Sequence, residues 1–347
     1  MPHDGEYRMY VGAYTGDSQA DGIGLAVVDP SGVLRRTGTA AATPDPSFLA
    51  LSPDGATLFA VSEVPHGRVV SFSVAADGAL REINSQPTLG SAPCHLSVHP
   101  SGRFLFTANY VSGNVVVHPI ADGGVLREPC HVVQHSGSGP NQDRQDGPHA
   151  HQVLADPGGR HVLSVDLGTD SVHVYDFDAE TGHLALREEV PLPAGAGPRH
   201  LAFHPSGTRF FLLNELASTM TEVGYDPESG AVEPGRTVPV LPPDFAGSNL
   251  AAEVVVSPDG RFAYASNRGH DSIAVFGCED GLRLLGIRSA GVAGPRHIAL
   301  SPDGRILFAA GQNSATVQAF AGADSGELEP IGEPVATPAP VCLLPVR

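Results

Sequence analysis

The stretch Gly197-Pro198-Arg199-His200-Leu201-Ala202-Phe203-His204-Pro205-Ser206-Gly207, followed by Arg209-Phe210-Phe211-Leu212-Leu213-Asn214-Glu215, reads as a strand, a tight turn and a second strand running back. Proline pre-sets φ for the turn and glycine supplies the positive φ that follows. A hairpin returns the chain to the end it left. Arg199 and His200 should therefore lie near Asn214 and Glu215. One short segment brings a guanidinium, an imidazole, an amide and a carboxylate together.

The same turn recurs as Ser52-Pro53-Asp54-Gly55, His99-Pro100-Ser101-Gly102, Asp156-Pro157-Gly158-Gly159, Ser257-Pro258-Asp259-Gly260 and Ser301-Pro302-Asp303-Gly304. With Pro205 included, the prolines at 53, 100, 157, 205, 258 and 302 are 47, 57, 48, 53 and 44 residues apart. The mean, (302 − 53)/5, is about 50, so 347 residues hold about seven units. Repeats of that length with four short strands each predict propeller blades. A prior of ~150 residues per domain would divide the chain in two; the repeat instead predicts one all-β, seven-bladed β-propeller over 1–347. One blade, the first in chain order, is expected to combine N-terminal strands (Met9–Tyr14, Gly24–Val28, Val33–Arg36) with a C-terminal one (Pro340–Pro345), which removes free sheet edges. A composition of 41 glycines and 31 prolines fits a chain that turns every few residues.

A net charge of −18 argues against nucleic acid or anionic membranes as partners. The sequence contains no lysine, which excludes Schiff-base chemistry and a P-loop. No apolar run suits a membrane span, and Asp4 and Glu6 close behind Met1 do not read as a secretory leader. Cys94, Cys130, Cys278 and Cys342 are scattered without metal spacing. The expectation is a reduced, cytoplasmic setting.

Aligning the first strands on their turn prolines places Phe48, His95, Gln152, His200, Glu253 and His297 five residues before each proline. Ser47, Cys94, His151, Arg199, Ala252 and Arg296 come one earlier. The returning strands end at the same rim with Glu63, Asn109, Asp166, Asn214-Glu215, Asn267-Arg268 and Gln312-Asn313. A mouth so rich in His, Arg, Glu and Asn exceeds what a wet rim needs. Arg199, Arg268 and Arg296 together favour binding of an anion; taken singly, each could equally bridge two blades. Arg103, Arg160, Arg261 and Arg305 follow the turns at the opposite end and read as surface residues. His149 and His151 form an H-x-H that with Glu215 or Glu253 could ligate a metal, but the spacing alone is a weak signal and no metal is expected. Glu215, beside Arg199, should stay ionised. Asp166 and Asp271 read as turn caps. Two segments break the repeat, 131–148 and 238–250, and long loops on a regular scaffold tend to carry function.

The segments Tyr10-Val11-Gly12-Ala13-Tyr14-Thr15, Pro46-Ser47-Phe48-Leu49-Ala50, Pro93-Cys94-His95-Leu96-Ser97-Val98, Gly147-Pro148-His149-Ala150-His151, Gly197-Pro198-Arg199-His200, Leu213-Asn214-Glu215-Leu216 and Ser266-Asn267-Arg268-Gly269-His270-Asp271-Ser272 resemble, in order, the seven-bladed lactonase family. That family includes propeller-type 6-phosphogluconolactonases and carboxy-muconate lactonising enzymes. The resemblance implies hydrolysis of a sugar-acid lactone, most plausibly 6-phosphogluconolactone, without a cofactor. It places the catalytic groups on His151, Arg199, Glu215 and Arg268. His95, His149, His200, Glu253, Arg296 and His297 are expected around a small anionic lactone. The arginines would hold the anion or polarise the carbonyl, and Glu215 or His151 would take a proton from water. No Gly-x-Ser-x-Gly elbow is present, so no acyl-enzyme is expected. The alternatives are a carboxy-muconate cycloisomerase, a metal-dependent lactonase and a non-catalytic binding propeller. A monomer or weak homo-oligomer is expected.

Overall fold

The computed structural model describes residues 5–16, 18–322 and 326–346; Met1 and Asp4, used above in reading the N-terminus, lie outside them. Each proline turn closes as expected. The N–H groups of Gly55, Gly102, Gly159, Gly207, Gly260 and Gly304 donate to the carbonyls of Ser52, His99, Asp156, His204, Ser257 and Ser301. The six glycines have φ between 67° and 75°, a region that side-chain-bearing residues avoid.

Seven sheets result, in which the first strand of each pairs with the strand that returns from the turn. In the fifth blade Pro198–Phe203 pairs with Arg209–Asn214, then Thr219–Tyr225, then Val232–Pro239. The blade shared by the two ends of the chain runs Pro340–Val346, Tyr7–Ala13, Gly22–Val28, Leu34–Ala42, with Met9 opposite Pro345. The ring is thus closed by main-chain hydrogen bonds between its two ends.

Seven apolar clusters fill the wedges, one between each pair of neighbouring blades. Phe211 and Met220 of the fifth blade meet Phe276 and Leu282 of the sixth, for example. The returning strands are covered on both faces. That is why Phe104–Asn109 and Ile306–Gly311 read as nearly unbroken small or apolar runs and not as alternating ones.

The third blade corrects one boundary. Val125–Leu126 pairs only with Ile120 and Ala121. His131–Gln134 pairs along Asn114–Val117 and does the work of an outer strand. The expected insertion over 131–148 therefore begins after Gln134. It is also not uniformly solvated, because His135 and Gln145 are buried.

Candidate active site

A break in strand register builds the mouth of the central channel. Pairing slips between Pro93 and His95, Ala150 and Gln152, Pro198 and His200, and Pro295 and His297. The sixth blade slips between Ala251 and Val254. A regular strand sends successive side chains to opposite faces. A bulge leaves one residue unpaired and re-aims it. The residues freed are Cys94, His151, Arg199 and Arg296, and beside them His95, Gln152, His200 and His297 stay in the ladder. This is how two consecutive residues of one strand both serve the channel.

Glu215 is the hub. It follows the returning strand of the fifth blade and is 1% exposed. Its Oε2 lies 3.1 Å from Arg199 Nε and 2.7 Å from Arg268 Nη2. Its Oε1 accepts from Arg144 Nη2 at 2.6 Å. Burial alone would raise the Glu215 pKa; Arg268, Arg199 and Arg144 outweigh it and bring it down to about 2. Arg268 is itself held down to about 10, chiefly by burial. Arg199 also donates to the Ala252 carbonyl, and Arg268 to that of Ala251 at 3.2 Å.

The imidazoles form a second layer. His200 Nδ1 sits 2.9 Å from Glu253, and His297 Nε2 lies 3.4 Å from the same carboxylate. His95 Nδ1 accepts from Val153 N–H and His297 Nδ1 from Leu343 N–H. Phe48 packs on His95, His200 and His297. These side chains are tied to one another and to neighbouring inner strands, so they floor the site. His151 differs. Its ring stands 5.0 Å from that of His200, and its buried Nδ1 has no hydrogen-bond partner among the described residues. Burial first, then Arg199, His200, Arg296 and Arg268, hold its pKa well below the ordinary imidazole value, so it is neutral at pH 7.

The H-x-H pair does not act as a unit. His149 stacks on Tyr110, donates from Nδ1 to the Tyr110 carbonyl at 2.8 Å, and turns Nε2 to Asp146. Among the described residues no group of three His, Cys, Asp or Glu side chains is arranged to hold a metal. Arg296 is likewise apart from Glu215. It lies over the Tyr14 ring and donates to its hydroxyl at 3.1 Å, and Tyr14 donates to Glu63 at 2.9 Å. Tyr14 also walls a cleft of about 720 Å3 with Arg36, Asp45, Gln312 and Asn313, which holds none of the groups on Glu215.

Two groups escaped the sequence reading. Arg144 comes from the insertion, and the other irregular loop, 238–250, has no arginine to align with it. Tyr110, one residue past the returning strand of the third blade, accepts from Arg144 at 3.2 Å and sets its ring edge-on to His151. Its position after Asn109 matches that of Glu215 after Asn214, a signal that the alignment of strand ends contained. Asp166 caps its turn as expected, accepting from the amides of His149, Gly168 and Thr169. It also takes His135 Nδ1 at 2.6 Å, an unexpected pair. Asp271 caps as expected, accepting from Gly269 and Gly294.

Residues 8–345 match the family model described as Lactonase, 7-bladed beta-propeller. The 6-phosphogluconolactonase of Bacillus subtilis is 33% identical over 78% of this chain and 77% of its own length. Among solved structures, a protein from Lactobacillus plantarum superposes with a TM-score of 0.93 at 32% identity, covering 99% of this chain and all of the other. The periplasmic gluconolactonase of Pseudomonas aeruginosa gives 0.91 at 32% identity, over 99% of each chain.

Proposed function

The chain belongs to the seven-bladed β-propeller lactonase family, and from that membership we propose that it is a carboxylic-ester hydrolase opening a sugar-acid lactone, 6-phosphogluconolactone in the first place, at the channel mouth. The observation that carries this reading is the neutral His151 set beside buried arginines that converge on one carboxylate. The relatives named 6-phosphogluconolactonase and gluconolactonase support the substrate class.

In the proposed reaction His151 accepts a proton from water as the oxygen attacks the lactone carbonyl. Arg199 and Arg268 face the oxyanion that develops on the carbonyl oxygen. The ring C–O bond then breaks, and the histidine returns its proton to the departing alkoxide. Glu215 is a poor base, since its pKa is held near 2; its role is to keep the guanidinium groups in place. Bound anionic substrate would offset the arginine field and raise the basicity of His151 toward working pH. The floor of His95, His200, Glu253 and His297 closes the site below, and His149 and Arg296 flank it. We place the enzyme in the cytoplasm, where its four free cysteines would stay reduced.

The test is hydrolysis of 6-phosphogluconolactone and of unphosphorylated gluconolactone, each with and without chelator and corrected for spontaneous opening. Chelator-insensitive turnover of the phosphorylated lactone is expected. No turnover of either substrate would overturn the proposal.

A further inference from the structure

Among the described residues, Arg144 is the one guanidinium at the mouth that is borne by a loop and not by a blade. It is also the most open of the three on Glu215: its side chain is 32% exposed, against 4% for Arg199 and 16% for Arg268. Both of its polar contacts, to Glu215 and to the Tyr110 hydroxyl, use Nη2. Among the described residues no protein group takes Nη1 or Nε.

The loop beneath it is anchored. Gln145, fully buried, donates to the Leu167 carbonyl at 2.9 Å and to Asp170 at 2.8 Å. Asp170 in turn accepts from Gly195 and Gly197, just ahead of Arg199. One end of the insertion is latched by His135 on Asp166 and the other by the His149 amide on the same carboxylate. The backbone is therefore held while the Arg144 head reaches inward from the rim.

The charge balance at the mouth is open. Arg144, Arg199, Arg268 and Arg296 face Glu215, Glu63 and Glu253. At Glu215 itself three guanidinium groups meet a single carboxylate, a local excess of positive charge. In a chain of net charge −18 such an excess suits a dianionic ligand.

We propose that Arg144 grips the phosphate of the substrate, exchanging Glu215 for a phosphate oxygen, and so sets a preference for phosphorylated over unphosphorylated lactones. Arg199 and Arg268, deeper and on strands, are left for the lactone carbonyl. Tyr110 touches both groups, its hydroxyl accepting from Arg144 and its ring standing edge-on to His151. A guanidinium suits this role because it can bind a phosphate through two parallel N–H donors.

The assignment rests on the lactonase reading, and the experiment separates the two. In Arg144→Gln, kcat/KM for 6-phosphogluconolactone divided by that for gluconolactone should fall roughly 10- to 100-fold, the range of one charge-assisted contact. Arg144→Lys should recover part of the loss, since it restores charge without the fork. Calorimetric binding of 6-phosphogluconate against gluconate gives the same comparison without turnover. There the preference of the wild-type protein for the phosphorylated acid should shrink in Arg144→Gln. If that preference in binding is present in the wild-type protein and lost in Arg144→Gln, but neither lactone is opened, the reaction fails and the Arg144 assignment stands. An unchanged ratio in Arg144→Gln, whether both substrates suffer equally or neither does, overturns it, as does a wild-type protein without preference in binding. An unchanged melting temperature in Arg144→Gln shows that the fold is retained.

Discussion

The four arginines that directly follow turn glycines and the four at the mouth behave oppositely. At the turn rim Arg103, Arg160, Arg261 and Arg305 pair with Glu180, Glu228, Asp259 and Asp303. Each faces its own acid, with its side chain at least 39% exposed. Such pairs are worth about 0–1 kcal/mol each, because water screens them and both chains lose rotamer freedom. At the mouth three arginines share one buried carboxylate. Placing like charges together at low dielectric costs stability, and a buried pair is not usually a net gain. A fold under no other demand would spread them as the turn rim does. The contrast teaches that burial and convergence mark the working end of this molecule; arginine content does not.

The strongest way to break the contrast is Glu215→Gln. Leaving three guanidinium groups without their shared counter-charge should cost about 3–5 kcal/mol, the usual penalty for breaking a buried ion pair from one side. Urea titration at pH 7 reads the loss, and lactone hydrolysis should fall with it. His151→Asn addresses the chemistry while sparing the clamp. It should lower kcat roughly 10²- to 10⁴-fold, the ordinary contribution of a general base, with the stability of the wild-type protein at pH 7.

Acid sharpens the same point. The folded Glu215 pKa of about 2 lies below its ordinary 4.5. The pair's contribution is therefore complete above pH 4.5 and is lost as pH falls from there toward 2. Melting temperature against pH should show this decline in the wild-type protein and a flatter one in Glu215→Gln. His151, with its pKa depressed, should leave kcat/KM level from pH 6.5 upward as far as its own titration is concerned. The smallest effect is expected at the other rim: Arg305→Gln should change stability by less than about 0.5 kcal/mol and leave hydrolysis unchanged.

Much of this was legible in the sequence because it is periodic. The Pro-Gly turns mark each blade, and counting back from the proline brought His151, Arg199, His200, Glu253 and Arg296 to one rim. Glu215 and Arg268 followed from the ends of the returning strands. What could not be read lacks a repeat. Arg144 reaches Glu215 only because Gln145 and His135 pin the insertion against the fourth blade, and the other irregular loop, 238–250, has no arginine for comparison. The bulges were equally hidden, since register slips depend on pairing partners far apart in the chain. His149 and His151 looked equivalent by alternation, yet pairing slips between Ala150 and Gln152, with His151 as the unpaired residue, and the two rings have different partners. Arg296 looked equivalent to Arg268 and instead serves Tyr14.

The most direct measurement compares one arginine from each rim on the same substrate. Hydrolysis of 6-phosphogluconolactone by Arg199→Gln and by Arg261→Gln would be followed side by side, corrected for spontaneous opening. Arg199→Gln should lose roughly 10²- to 10³-fold in kcat, the range for removing one oxyanion donor, and Arg261→Gln should match the wild-type protein. Full activity in Arg199→Gln, or equal losses in both, would contradict the assignment of catalysis to the buried cluster at the mouth.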